Sequence, residues 1–246
     1  MFEELLAVYT LDNVPLLIAS AITFGFGFWE YIYSFRLVKR EGSAPFPIWM
    51  HTFYFAHDST WAVLFFIVAA THGWHWFATG AAIALVVWTL FEVYNFYHAI
   101  KDEREEIWAP YYGSNPPIKK CVINLVCQII VFYGLVNVFI MFVGEGCFFQ
   151  WAAITNMVMA TLPGLLWQRR GSRKGNGMGI ALVILGGTIN TFLPCGMFVS
   201  ALPQYFDHPW FYLAGIVFTL VAIRNVVMVA RFPKKKAVPG EKRPIW

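Results

Sequence analysis

Between residues 46 and 71 the chain reads FPIWMHTFYFAHDSTWAVLFFIVAAT, an apolar run long enough to cross a bilayer that carries Asp58 near its middle. An ionisable group at such depth is costly and is normally held by a function or a buried partner. Asp58 lies 11 residues beyond Pro47, about 16 Å along a helix. Tyr54 and His51, four and seven residues earlier, share its helical face, whereas His57 as the adjacent residue does not. Two further acids stand inside apolar runs: Glu30, with Trp29 beside it and Tyr33 three residues on, and Glu92, with Trp88 four before and Asn95 three after. A carboxyl group kept from water favours its protonated form. Such an acid, among Phe, Tyr and Trp rings, can protonate an epoxide or an alkene, and the ring faces then stabilise the developing cation. A second carboxylate can take up the final proton. Asp58, Glu30 and Glu92 are the candidate catalytic acids. Tyr33, Tyr54, His51, His57, Trp29, Trp88, Asn95, Arg224 and Asn225 are their candidate supports.

Seven apolar segments must position these groups: 14–36, 46–71, 74–98, 118–143, 148–167, 177–202 and 209–231. Each is near the ~20 residues that a span requires. Prolines mark several starts (Pro45, Pro47, Pro116, Pro117, Pro209), and Pro163 and Pro194 fall inside the fifth and sixth segments. Lys and Arg alternate between the connections: none before the first segment, then Arg36, Lys39 and Arg40, none, Lys101, Arg104, Lys119 and Lys120, none, Arg169, Arg170, Arg173 and Lys174, none, and a basic end at 232–246. By the positive-inside rule the N-terminus is outside and the C-terminus cytoplasmic. The reading is all-α: one seven-transmembrane-helix bundle over residues 1–246, multi-pass in a lipid bilayer, with a basic cytoplasmic tail. Glu3, Glu4 and Asp12 precede the first apolar run, where a cleavable signal would be basic.

Composition agrees. Of 246 residues 59% are hydrophobic and only 13% charged, against about 25% charged in soluble domains. The net charge of +4 is a topology signal, not a nucleic-acid footprint. No HxxxH or HxH pair supports a metal, and the four cysteines form no paired framework and read as small buried apolar residues. No Gly-rich phosphate loop or DDxxD cluster is present, and the last segment has no lysine for a retinal Schiff base. No cofactor is implied. Glu30, Glu92 and Arg224 each lie six or seven residues before the basic end of their segment, so they should share one level in the cytoplasmic third. Arg224 could pair there with Glu30 or Glu92.

The run GFGFWEYIYSF, with Trp29, Glu30 and Tyr33, resembles the Trp-Glu-x-x-Tyr motif of the small fungal membrane terpene cyclases, the paspaline-type and meroterpenoid cyclase family. The length, the seven segments and the basic C-terminus are similar too. The resemblance implies that Glu30 is one of two acids, that an epoxidised prenyl chain is protonated and cyclised, and that the membrane is the endoplasmic reticulum. The family's second acid, an aspartate in the last helix, has no counterpart in TLVAIRNVVMVA, which holds Arg224 and Asn225. Asp58 or Glu92 would take that role. Glu92, in TLFEVYNFY, sits in a similar run. Two alternatives remain open: an epoxide hydrolase or ether-forming cyclase acting on a prenylphenol or polyketide, and a proton-coupled transporter or lipid-binding protein. The partner in every case is a lipophilic small molecule.

Overall fold

A computed structural model describes residues 2–236 and 243–246. Among them every regular element is a helix: α1 Phe2–Val8, α2 Val14–Glu41, α3 Ile48–Thr71, α4 Trp76–Asp102, α5 Arg104–Tyr112, α6 Ile118–Val143, α7 Phe148–Arg170, α8 Met178–Thr191, α9 Met197–Ala201, α10 Pro203–Phe206 and α11 Pro209–Arg231. Five of these, α2, α3, α4, α6 and α11, are long and apolar enough to cross a membrane, which is the signature of a multi-pass membrane protein in a lipid bilayer. The seven predicted segments all appear as helical stretches, with two differences. α7 spans 23 residues, but Gln150, Thr155, Asn156, Thr161 and Gln168 dilute its apolar character, and it falls outside the five. The sixth segment is not one helix. It stops at Thr191 and resumes as the short α9 at Met197. Pro194 accounts for the break, because proline lacks the amide N–H and forces the residue before it out of the helical region.

Element ends follow local rules. Pro15 and Pro209 open α2 and α11 where no helical N–H is lost. Gly42 closes α2 in the left-handed conformation (φ 59°) and returns its N–H to Val38 O. His75 and His208 cap α4 and α11 by accepting the N–H of Phe77 and Trp210 on Nδ1.

The helices form two compact units. The first comprises the segment ending at Ala7 together with Pro47–Gln150. At its centre α3 packs along α4 and α6. More than half of the most apolar stretch of α3 is buried, against a third or less for the other four long helices. Polar bonds join this unit's helices: Ser59 Oγ and Tyr133 Oη are 2.7 Å apart between α3 and α6, and Trp108 Nε1 of α5 donates to Asn124 Oδ1 of α6 at 2.9 Å. α1 is fastened at one end by Phe2, edge-on to Trp61 and Phe65, and near that end by Glu3, whose Oε1 lies 2.8 Å from His72 Nε2.

The second unit comprises Val8–Phe46 and Trp151–Trp246. Here α8 lies between α2 and α11. Close approach is possible because α8 has glycine where α2 presents bulk: Phe26 lies against Gly186, and the Glu30 carboxyl against Gly187. Asn190 Nδ2 donates to Thr23 Oγ1 across the same contact at 2.8 Å. α7 is tied in by Trp167 Nε1 to Pro45 O (2.8 Å) and by Asn225 Nδ2 of α11 to Ala160 O (2.9 Å). That carbonyl is next to the one that Pro163 leaves without its helical partner. The expected basic tail is not a free extension. Ile245 is buried and Gly179 N donates to Trp246 O, so its end lies against the start of α8; Lys242 lies outside the described residues. Cys121 and Cys147 are buried as expected, whereas Cys127 and Cys195 are exposed.

A methyl at Gly215 would come within 2.5 Å of Phe192 Cβ, an atom too near the backbone to move aside. Gly215→Ala should therefore cost about 1–3 kcal/mol, lowering the melting temperature in detergent by roughly 2–12 °C. Gly25→Ala, with open space around it, should hold or raise that temperature. Equal melting of the two variants would refute the packing. At His72 the bond from Glu3 raises the imidazole pKa above its ordinary range, helped by Val68 O. A raised pKa places this contribution fully below the ordinary imidazole range and removes it as pH climbs through the raised value. A histidine-label NMR titration should show His72 titrating higher in the natural chain than in Glu3→Gln, and identical midpoints would overturn the pairing.

Candidate functional site

The first unit gathers most of the predicted site. Along α3, His51, Tyr54, His57 and Asp58 are all buried, and α4 buries Glu92 and Asn95 against it. The pairing differs from the helical-face argument. Asp58 Oδ1 meets His57 Nδ1 at 2.8 Å, so its partner is the adjacent residue. Neighbouring residues diverge by about 100° around a helix, which sets the two Cβ atoms on different faces. Both side chains are short, however, and Nδ1 is the ring nitrogen nearer the backbone, so the imidazole can turn back to the carboxylate. His51 instead reaches across to α4, where its Nδ1 lies 2.6 Å from Glu92 Oε2. Asn95, three residues on from Glu92, donates Nδ2–H to the same oxygen at 3.0 Å, as the spacing predicts.

These contacts define two carboxylate–imidazole pairs. Glu92 Oε2 accepts from both His51 Nδ1–H and Asn95 Nδ2–H, an arrangement that fixes the His51 ring. Both pairs lie buried in the first unit, Asp58 and His57 on α3 and Glu92 on α4 with His51 of α3. Rings surround His57: Phe53 at 6.0 Å, Trp61 at 6.3 Å and Phe148 stacked at 6.4 Å. Tyr54 adds its ring beside Phe53 at 5.4 Å. Trp88 lies one turn before Glu92 on α4 and is half-buried. Two such pairs in one unit offer, chemically, one group able to give a proton and another able to take one, with aromatic rings around the first.

Trp61 is the residue that sequence reasoning missed. It is fully buried, and its Nε1–H has no acceptor among the described residues. A buried donor without a partner is uncommon and costs about 1–3 kcal/mol. It is aligned with the pair at three residues from Asp58 and four from His57, a spacing visible in the sequence. The Oδ1 of Asn95 is likewise buried without a donor. A substrate oxygen could accept from the first, and a hydroxyl or water could donate to the second.

The remaining predicted residues belong to the second unit. Glu30 is buried on α2, without a hydrogen-bond or ion-pair partner among the described residues, and its carboxyl rests on the backbone of Gly187. Tyr33 is half-buried on the same side, its ring against Gly179 and under the Arg36 guanidinium at 5.8 Å. Trp29 does not support Glu30. It is 52% exposed, because a step of one residue turns it to the outer face of α2. Arg224 does not pair with Glu30 either. It is exposed, and its guanidinium donates to Gln168 Oε1 and Asn225 Oδ1. α11 turns Ala222 and Asn225 inward and leaves Arg224 outside, where its long stem can carry the charge toward an interface. Asn225 is buried, but its amide is a structural bridge to α7. No group of three or more His, Cys, Asp or Glu suited to a metal occurs among the described residues.

If the His51–Glu92 contact is the tie between α3 and α4, then His51→Ala, Glu92→Ala and the double variant should be non-additive in detergent unfolding. A coupling of about 1–3 kcal/mol is expected. Additive losses would show that the two side chains act independently. The chain matches no protein-family model, no curated protein and no solved structure.

Proposed function

We propose that the chain is a seven-span membrane enzyme, N-terminus outside and C-terminus cytoplasmic, that opens an epoxidised prenyl substrate by acid catalysis and cyclises it. The topology rests on the alternation of basic residues between apolar segments. The catalytic reading rests on one observation above all: two carboxylate–imidazole pairs are buried together in helices of membrane length, with aromatic rings around one of them. The resemblance of Trp29-Glu30 and Tyr33 to the fungal meroterpenoid cyclases supplies the substrate class and, with it, an endoplasmic-reticulum membrane.

In this mechanism the Asp58–His57 pair holds one proton and gives it to the epoxide oxygen. The C–O bond breaks toward the more substituted carbon, the oxygen becomes a hydroxyl, and an alkene of the same chain closes onto the cation to form a C–C bond. Phe53, Trp61 and Phe148 offer their faces to the moving charge. The Trp61 Nε1–H can bind the departing oxygen. Loss of a proton to the Glu92–His51 pair ends the sequence with an isomer of the substrate. Glu30, by the resemblance, is the other candidate for one of these two proton steps.

The His51–Glu92 pair also favours a second reading. An imidazole oriented by a carboxylate is suited to drawing a proton from water, and water capture of the cation would make the protein an epoxide hydrolase.

Product analysis separates these readings. In a host supplying epoxyfarnesylated aromatic acceptors, mass spectrometry should find a product of unchanged mass. Asp58→Asn and Glu92→Gln should reduce it by about 10²–10⁴-fold, at unaltered protein level. A product heavier by one water would establish the hydrolase instead. Unchanged product from both Asp58→Asn and Glu30→Gln would exclude acid initiation by these groups.

A further inference from the structure

Away from the buried acids, the basic ends of the second unit line an open cavity of about 460 Å³. It lies where the end of α2, the loop from α7 to α8 and the chain after α11 meet. Six cationic side chains line it: Arg40, Arg173, Lys174, Lys235, Lys236 and Arg243. Glu41 is the one carboxylate among them. A topology anchor needs positive charge but no fixed arrangement of it. Here specific bonds hold the lining in place. Arg40 Nη1 donates to Arg243 O at 2.8 Å, Arg173 Nε to Val229 O at 3.1 Å, and Gly175 N to Glu41 Oε2 at 3.1 Å. The chain end contributes Arg243, Pro244 and the buried Ile245 to the lining.

We propose that this cavity is a binding site for a multiply charged phosphate anion, carried either by a phosphorylated membrane lipid or by a soluble polyphosphate. Arg40 and Arg173 build the walls, and Lys235 is balanced by Glu41 at 2.5 Å. Lys236 and Arg243 also line the cavity, and among the described residues no ion pair balances either charge. Burial lowers the Lys235 pKa, and the nearby Arg173 lowers it further against the pull of Glu41. Crowded cations of this kind are relieved by an anion that touches several at once. The volume falls within the range of about 300–1,000 Å³ typical of small-ligand sites. The position, at the basic ends of membrane-length helices, suits a headgroup at an anionic surface. The site is independent of the acid chemistry proposed above.

The test uses the full chain with two probes. Inositol hexakisphosphate is added to protein in detergent. Separately, protein is placed in phosphatidylcholine nanodiscs with and without phosphatidylinositol bisphosphate. Binding should raise the melting temperature. A rise with both probes, or with the lipid alone, supports the site, and the second pattern assigns the membrane as the source. Lys174 and Lys236 are exposed, so Lys174→Gln/Lys236→Gln should melt like the natural chain without ligand. It should bind about 30-fold more weakly, at about fivefold per cation removed. Lys119→Gln/Lys120→Gln, on the other unit, should bind normally. No rise with either probe, or equal weakening in both double variants, overturns the proposal.

Discussion

Burying ionisable groups in apolar helices is the constraint on which this molecule's first unit depends. A carboxylate there cannot turn to water, so its partner must be supplied by the fold. Asp58 takes its own neighbour, while Glu92 takes a histidine from the facing helix and an asparagine from its own. These bonds fix more than charge. They set the register of α3 against α4, because His51 and Glu92 must meet at one level. They also accompany the deep enclosure of α3, the most buried of the five long helices. Replacing such a pair by apolar residues of similar size is often neutral or stabilising, since the desolvation of both charges offsets their attraction. Stability alone therefore gives no reason to keep two pairs in one unit, which is why the proposed reading turns to proton transfer.

The second unit solves a different problem with different residues. Its helices approach through glycine on α8, and its acid, Glu30, lies on bare backbone instead of a partner side chain. Polar side chains in this unit mostly serve the backbone: Asn225 reaches a carbonyl beside the Pro163 break, Trp167 reaches Pro45 O, and Arg173 reaches Val229 O. These are the bonds expected where proline and loop ends expose carbonyls with no water to satisfy them.

Much of the fold was legible because a membrane reduces the problem to length and hydropathy. Helix limits such as 118–143 and 209–231 fall where composition changes. Pro194 was visible as an internal proline, but whether it would bend or break its segment depended on neighbours: Pro163, equally internal, stays inside α7. The site was legible in its residue types and less so in its pairings. Asn95 with Glu92 followed from spacing on one helix. His51 with Glu92 did not, since it needed the relative register of two helices, which local sequence does not encode. Spacing did put Trp29 beside Glu30, but burial then parted them, and Arg224 turned outward on α11 for the same reason.

The strongest link between structure and chemistry is an imbalance. Trp61 Nε1–H and Asn95 Oδ1 are buried beside the two pairs, a donor and an acceptor each without a partner among the described residues. The fold satisfies Glu92 with two bonds, yet leaves these two groups unmet within the same unit. An apolar core would have placed Phe and Leu there at lower cost. Under the proposed mechanism, an oxygen-bearing guest would meet both groups, the donor near the Asp58–His57 pair and the acceptor beside Glu92. The rings of Phe53, Trp61 and Phe148 around His57 are the part of this environment on which the proposed cation chemistry rests, because ring faces attract positive charge.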